Sequence, residues 1–102
     1  MQQKRAADYG VSVGTLPKGP RNKITDVKGV SVGHCTIDTQ RHKTGVTVVI
    51  PGTQNPFHHF VPAAACVLNG YGKSTGLIQV AELGTLEGPI ALTNTLNVGK
   101  VQ

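Results

Sequence analysis

The sequence predicts an α/β chain with four to six short strands and little helix. Its apolar runs are brief, and they end at turn signals rich in glycine, proline and asparagine. Residues 45–50 are mostly β-branched and stop at Pro51, which makes them the clearest strand. Residues 30–34 alternate as a half-buried strand does, and residues 89–93 are typical of a buried strand.

The remaining segments carry weaker signals. Polar residues 38–44 predict a hairpin loop, and residues 53–62 predict a longer loop. Residues 63–68 are apolar, but six residues are too few to decide between helix and strand. Residues 76–84 predict a strand that runs into a short helix with Gly84 as its C-cap.

Chain length and composition predict an incomplete domain. A chain of 102 residues suffices for one small domain, but with two Tyr, two Phe and no Trp its core is expected to be thin. Residues 99–102 follow strand and turn residues directly, without a closing helix. We therefore expect residues 1–102 to be part of a longer domain.

The distribution of charge argues against nucleic acid as a partner. Ten Lys and Arg against five Asp and Glu give a net charge of +5, but the basic residues are scattered without interleaved aromatic rings to stack bases. Nucleic acid is therefore not a predicted partner.

No apolar stretch is long enough to span a membrane, and the N-terminus lacks the apolar core of a signal peptide. With two cysteines in no disulfide pattern, a cytoplasmic location is expected.

Residues 72–75 spell Gly-Lys-Ser-Thr, which is how a phosphate-binding P-loop ends. A P-loop also needs a glycine five positions earlier, where Val67 stands, and Gly76 interrupts any helix signal that follows. The cluster of glycines itself predicts that the backbone passes close to a ligand or to another strand. Nucleotide binding is kept as an alternative that would use Gly72, Lys73, Ser74 and Thr75.

Histidine and cysteine side chains are candidate ligands for a metal ion. The available ligands are four histidines and two cysteines: His34, His42, His58, His59, Cys35 and Cys66. None of them has zinc-site spacing, so no metal and no other cofactor is predicted. Cys66 lies in an alanine-rich run and is expected to be a small apolar packing residue.

Blocks rich in glycine, asparagine and threonine resemble the DmpA family, which comprises L-aminopeptidase/D-Ala-esterase/amidase enzymes and β-peptidyl aminopeptidases. The block N-K-I-T-D-V-K-G-V-S-V-G-H at residues 22–34 resembles the opening of that family, and T-G-V-T-V-V-I-P at residues 44–51 resembles one of its strands. A third block, L-N-G-Y-G-K-S-T-G at residues 68–76, is followed by a fourth at residues 82–99. The four blocks cover nearly the whole chain in the family's order.

The resemblance implies a four-layer α/β/β/α sandwich of the DmpA/ornithine acetyltransferase type, of which this chain would supply the first strands and loops. Residues 1–102 would then be the N-terminal portion of the α chain of a single catalytic domain, with residues 1–21 as its lead-in. It also implies a precursor that cleaves itself before a Ser or Thr, whose freed α-amine then acts as the base for its own hydroxyl. No glycine precedes Ser12, Ser31 or Ser74, and the Gly-Thr pairs lie outside the family's cleavage context. No catalytic residue is therefore assigned in this chain, which alone is expected to be inactive; the nucleophile is expected beyond Gln102.

The resemblance also indicates residues that line a substrate pocket. Family loops expected near the active site correspond here to Asn69, Gly70, Tyr71, Gly72, Thr93, Asn94 and Thr95. Their asparagines can equally serve only to satisfy loop backbone. Glu82 is a further candidate that could attract the α-ammonium group of a substrate, although an exposed acid at a helix end is more often structural.

By this resemblance, the expected function is that of an aminopeptidase or amidase that releases N-terminal residues from small peptides, amides or esters. Its expected partners are the β chain that carries the nucleophile and further copies of itself in a homo-oligomer. Besides nucleotide binding, a non-catalytic structural subunit and an acetyl-transferring enzyme of the same fold are the alternatives.

Overall fold

Two antiparallel strands form a long hairpin at the centre of the chain. In the computed structural model, which describes residues 3–102, strand β1 spans Ser31–Asp38 and strand β2 spans Lys43–Ile50. Their register pairs Ser31 with Ile50 and Asp38 with Lys43. Both predicted strands are confirmed. Each is longer than expected, and the hairpin loop shrinks to residues 39–42.

Thr39 explains why this loop is so tight. Its hydroxyl oxygen accepts the N–H of Arg41 at 3.3 Å and that of His42 at 2.9 Å, and its own N–H donates to the His42 carbonyl at 2.8 Å. Such bonding between a side chain and nearby backbone favours a turn. Next to the turn, Lys43 and Asp38 form an ion pair across the last rung of the ladder. Asp38, Lys43 and Thr44, which the sequence assigned to the loop, therefore belong to the strands.

Three shorter strands complete two sheets. Strand β3 spans Val61–Pro62, β4 spans Thr85–Leu86 and β5 spans Ile90–Leu92. Strand β5 pairs antiparallel with β2, which gives the order β1-β2-β5, and β3 pairs antiparallel with β4 in a separate sheet. The strand predicted at residues 89–93 is thus confirmed as β5, and the five strands of the described residues fall within the predicted four to six.

Helix α1 spans Leu77–Leu83 and lies between two glycines with left-handed backbone. Gly76 has a φ of +81° and Gly84 a φ of +67°, and the Gly84 N–H donates to the carbonyl of Val80. Gly84 is therefore the C-cap that the sequence predicts. The strand predicted before the helix is wrong, because the turn at Gly76 leads the chain directly into α1.

Short helical segments account for the rest of the regular structure. Helix α2 spans Val98–Val101, and single 3-10 turns occupy Ala6–Tyr9, Ile24–Asp26 and Thr95–Asn97. Residues 63–68, undecided from sequence, form neither helix nor strand. None of the helices in the described part of the chain has both the length and the apolar character needed to cross a bilayer.

The segment that leads into β1 is tied together by Asp26. Its carboxylate accepts the Nε–H of Arg21 at 2.8 Å and the backbone N–H groups of Arg21 and Lys23 at 3.0 and 3.2 Å. The same arginine donates to the Thr25 carbonyl at 2.8 Å. Asn22 adopts a φ of +51°, a left-handed conformation that asparagine tolerates better than most residues. The first sequence block therefore has a structural role in this turn.

Asp26 makes the stability of this turn depend on pH. The hydrogen bond from Arg21, helped by backbone N–H groups, holds the pKa of Asp26 below its ordinary value of 3.8. Because the folded-state pKa is lowered, the stabilisation is fully present above the ordinary value and is lost as the pH falls through the folded-state value. We expect Asp26→Asn to lower the thermal midpoint of the full-length protein at neutral pH.

Thermal melts across the acid range check this prediction. The difference between the native protein and Asp26→Asn is expected to shrink as the pH falls from 3.8 through the lower folded-state value, because the carboxylate is protonated first in the unfolded state and then in the native state. A difference that stays constant down to about pH 2, or no difference at neutral pH, contradicts the assignment.

Little of the chain is buried. Val49, at 8% exposure, is the one buried apolar side chain in the described residues, which confirms the expected thin core. The burial predicted for residues 30–34 and 89–93 is wrong for this chain alone, because β1 and β5 are exposed along their whole length. The described residues leave most of both sheet faces uncovered. Exposed apolar side chains on these strands include Val32, Ile37, Ile50, Ile90 and Leu92.

Candidate substrate-pocket loops

The two loops that the sequence singles out meet in the structure. The N–H of Lys73 donates to Thr95 Oγ1 at 2.6 Å, a contact between residues 22 positions apart. A Cβ atom on Gly72 would lie 3.4 Å from the same oxygen. This is the close approach to another segment that the glycines predict. Residues 69–72, the first loop, therefore lie beside residues 93–95, the second loop.

Asn94 anchors the second loop to the sheet. Its Nδ2 donates to Thr44 Oγ1 at 2.8 Å, and its Oδ1 accepts the Leu96 N–H at 3.2 Å and the Asn97 Nδ2 at 3.0 Å. The bond to Leu96 caps the following 3-10 turn. Both carbonyl lone pairs and one amide proton are thus engaged, which leaves one amide proton for a further partner.

The remaining loop candidates divide into anchored and outward-facing residues. The Thr93 hydroxyl donates to the Gly45 carbonyl at 3.4 Å and is partly buried. In the first loop, Gly70 turns the chain with a φ of +59°, Asn69 is exposed, and Tyr71 is 98% exposed. The second loop is therefore fixed to β2, whereas the first loop presents its side chains outwards.

Glu82 lies on the exposed surface of α1. This helix contacts β4 in the small sheet. Within the described residues the Glu82 carboxylate forms neither an ion pair nor a hydrogen bond with the two loops. Its attraction for a substrate ammonium group stays a prediction.

The Gly-Lys-Ser-Thr segment does not have the geometry of a P-loop. Residues 63–68 ahead of it form no strand, and the Lys73 N–H is bonded to Thr95 instead of being free for a phosphate. The short helix predicted within residues 76–84 is present as α1, which begins at Leu77, but Gly76 turns the chain between the motif and the helix. The described residues thus form no phosphate cradle here.

Sequence reasoning missed the surroundings of His34. Its Nδ1 lies 2.6 Å from Thr47 Oγ1 and its Nε2 lies 2.8 Å from Thr36 Oγ1. Strand alternation places Thr36 on the same face, but the contact with Thr47 depends on the hairpin register.

Within residues 3–102 no three His, Cys, Asp or Glu side chains are grouped so as to hold a metal. Cys66, expected to pack in a core, is exposed because residues 63–68 are not covered.

An open depression of about 560 Å³ lies between the β1–β2 turn and the second loop. It could not be predicted from the sequence, because residues 41–43 are polar and typical of solvated surface. The hairpin register and the bond from Asn94 to Thr44 bring them to the second loop. Its lining includes Arg41, His42, Lys43, Thr44, Asn94 and Thr95.

The contact between the loops is testable at Thr95. Thr95→Val is expected to release the Lys73 amide, at a cost of about 1 kcal/mol in the free energy of unfolding. The first loop should then be more mobile, so trypsin is expected to cut the full-length protein after Lys73 faster. Thr95→Ser keeps the hydroxyl acceptor and is the matched control. Equal cleavage rates in the valine, serine and native proteins contradict a tether at this position.

These observations define the class of chain: a mixed α/β chain built on antiparallel sheets, with two glycine- and threonine-rich loops joined at one place. The model of Peptidase family S58 matches residues 22–102. The chain belongs to Peptidase family S58. The resemblance to the DmpA family that the sequence blocks indicated is thereby confirmed.

Relatives match nearly the whole of this chain, although it spans only part of each. The β-peptidyl aminopeptidase BapA of Sphingosinicella xenopeptidilytica is 43% identical over 106 residues, which cover 95% of this chain and 26% of that protein. BapA of Sphingosinicella microcystinivorans is 36% identical, with 96% and 26% covered. The chain thus spans about a quarter of the length of these relatives.

Solved structures agree with the fold. The crystal structure of the PH0078 protein from Pyrococcus horikoshii OT3 superimposes with a TM-score of 0.81 at 48% identity, covering 94% of this chain and 30% of that one. A Burkholderia sp. beta-aminopeptidase also gives a TM-score of 0.81, at 44% identity, with 96% and 29% covered. The antiparallel sheets and loops described above are therefore shared with chains more than three times as long.

Proposed function

We propose that this chain is the N-terminal part of the α chain of a self-processing aminopeptidase. The whole enzyme releases N-terminal residues from small peptides, amides or esters. The observation that carries the proposal is membership of Peptidase family S58 over residues 22–102. Two relatives that are named β-peptidyl aminopeptidase support the same class of reaction.

The nucleophile is a Ser or Thr freed by self-cleavage and placed outside residues 1–102. A hydroxyl is a poor nucleophile until a base takes its proton, and a terminal amine with a pKa of about 8 is a suitable base on the same residue. The absence of a Gly-Ser bond from this sequence supports a nucleophile elsewhere. Donors that hold the oxyanion would also come from the rest of the enzyme, so residues 1–102 alone are inactive.

The sheet β1-β2-β5 forms part of an inner layer of a four-layer α/β/β/α sandwich in this proposal. Strands covered on both faces carry near-continuous apolar runs, and β2 ends in such a run at Val48, Val49 and Ile50. Residues 1–102 supply the first strands and loops of a single catalytic domain, with residues 1–21 as the lead-in. The exposed apolar side chains support a role as scaffold for the remaining chain.

The joined loops form one wall of the substrate pocket. The first loop, which comprises Asn69, Gly70, Tyr71 and Gly72, lies beside Thr93 and Asn94 and is held there by the bond from Lys73 to Thr95. Glu82 attracts the substrate ammonium group. Two features support this placement: the exposed phenol of Tyr71 and the amide proton that Asn94 has left over. The assembled enzyme is proposed to be a cytoplasmic homo-oligomer that uses no metal or cofactor.

Hydrolysis assays on the purified full-length protein test the function. We expect release of p-nitroaniline from the p-nitroanilide of an L-amino acid, of D-Ala or of a β-amino acid, and no loss of rate in the presence of a chelator. Acyl transfer between amino acids without hydrolysis would favour the acetyl-transferring alternative. No reaction with any member of the panel contradicts the aminopeptidase proposal.

A further inference from the structure

The depression beside the second loop carries positive charge. Lys43 is paired with Asp38, whereas Arg41 has no ion-pair partner within residues 3–102. No Asp or Glu of the described chain lines the depression. The Arg41 backbone is fixed, because its N–H donates to the Thr39 hydroxyl at 3.3 Å. A guanidinium is thus presented from a defined turn.

The hydrogen-bond inventory of the depression favours an anion. Thr44 Oγ1 already accepts from Asn94 and Thr95 Oγ1 accepts from Lys73, so each hydroxyl proton is free to be donated. The Asn94 carbonyl oxygen accepts two bonds, and one Asn94 amide proton is left over. Thr44, Thr95 and Asn94 thus each have one unused donor proton at the depression.

We propose that this depression binds the C-terminal carboxylate of a peptide substrate, with Arg41 as the anchoring group. The inference rests on the proposed function, because it adds a specificity site to the same pocket. A guanidinium can bind both oxygens of a carboxylate at once, which fixes its position as well as its charge. Asn94 and Thr95 belong both to this depression and to the pocket loops, so a short peptide can reach from one to the other.

The site predicts a preference for free peptides over their amides. In the full-length protein, kcat/KM is compared for one dipeptide and for the same dipeptide with a C-terminal amide. Arg41→Gln is expected to lower the ratio of acid to amide about tenfold, the size of a hydrogen bond to a charged group. Arg41→Lys is expected to keep part of the preference, since it retains charge but loses the bidentate geometry.

Lys28→Gln is the matched control, because Lys28 lies in the turn before β1, at the opposite end of the hairpin from Arg41. It removes the same unit of charge and should leave the ratio unchanged. An Arg41→Gln ratio equal to the native ratio overturns the inference, and so does an equal loss on both substrates, which indicates a structural effect. If Arg41→Gln does not fold, Arg41→Lys decides: a native ratio in that variant also overturns the inference.

The two proposals fail differently. Hydrolysis of the dipeptide amide by the native protein supports the aminopeptidase function whatever happens at Arg41. Hydrolysis of neither dipeptide removes the function and the carboxylate site together.

Discussion

Replacing Gly45 with alanine is expected to destabilise the full-length protein by about 3 kcal/mol, the upper end for overpacking. Gly45 pairs with Thr36 across the hairpin, and a Cβ atom there would lie 2.5 Å from the Cys35 carbonyl oxygen. Backbone cannot move aside as a flexible side chain can, so β1 and β2 must separate. The Gly45 carbonyl also accepts the Thr93 hydroxyl, which carries the distortion to the second loop.

Thermal or denaturant unfolding of the purified variant measures this effect. Gly33→Ala is the control: Gly33 lies opposite Val48 in the same hairpin, and a Cβ there meets nothing within 4 Å in the described residues. It should be neutral or stabilising by about 0.5 kcal/mol, because alanine costs less backbone entropy than glycine. Native stability of Gly45→Ala contradicts the hairpin geometry.

Replacing Asn94 with alanine is expected to cost about 2 kcal/mol, the sum of a lost N-cap and the bonds to Thr44 and Asn97. Asn94→Asp should differ. An aspartate caps a helical turn as well as an asparagine, and it can accept the Thr44 hydroxyl proton in place of donating to that residue. We expect its stability to lie within about 0.5 kcal/mol of the native value.

Catalytic activity distinguishes whether Asn94 contacts the substrate or only satisfies the loop backbone and neighbouring side chains. If its remaining amide proton faces substrate, Asn94→Asp folds normally but loses about tenfold in kcat/KM, since a donor to a charged group is replaced by a carboxylate. This is the result that we predict. Native activity in a well-folded Asn94→Asp protein shows instead that Asn94 only satisfies backbone and the neighbouring side chains.

Local features of the fold were predictable from sequence. The β-branched run of β2, the alternation in β1 and the glycine that ends α1 each depend on neighbouring residues. The loops at residues 69–72 and 93–95 were found by resemblance, and their contact agrees with the glycine content of the first loop. The bond from Lys73 to Thr95 itself depends on two turns whose shapes no periodicity encodes.

Burial and the charged depression were not predictable. The strand patterns indicate which faces are apolar but not what covers them, and within the described residues β1 and β5 are exposed. Arg41 reaches the second loop only through the hairpin register and through the bond from Asn94 to Thr44, which are 50 positions apart. Contacts at such separation leave no trace in local sequence.

The decisive measurement is N-terminal sequencing, with intact masses, of the full-length protein after purification. Two chains are predicted: one that carries residues 1–102 near its start, and one that begins with Ser or Thr. Hydrolysis of the aminoacyl p-nitroanilide should appear only in cleaved material. An uncleaved single chain that hydrolyses the same substrate, or a second chain that begins with any other residue, contradicts the N-terminal-nucleophile assignment.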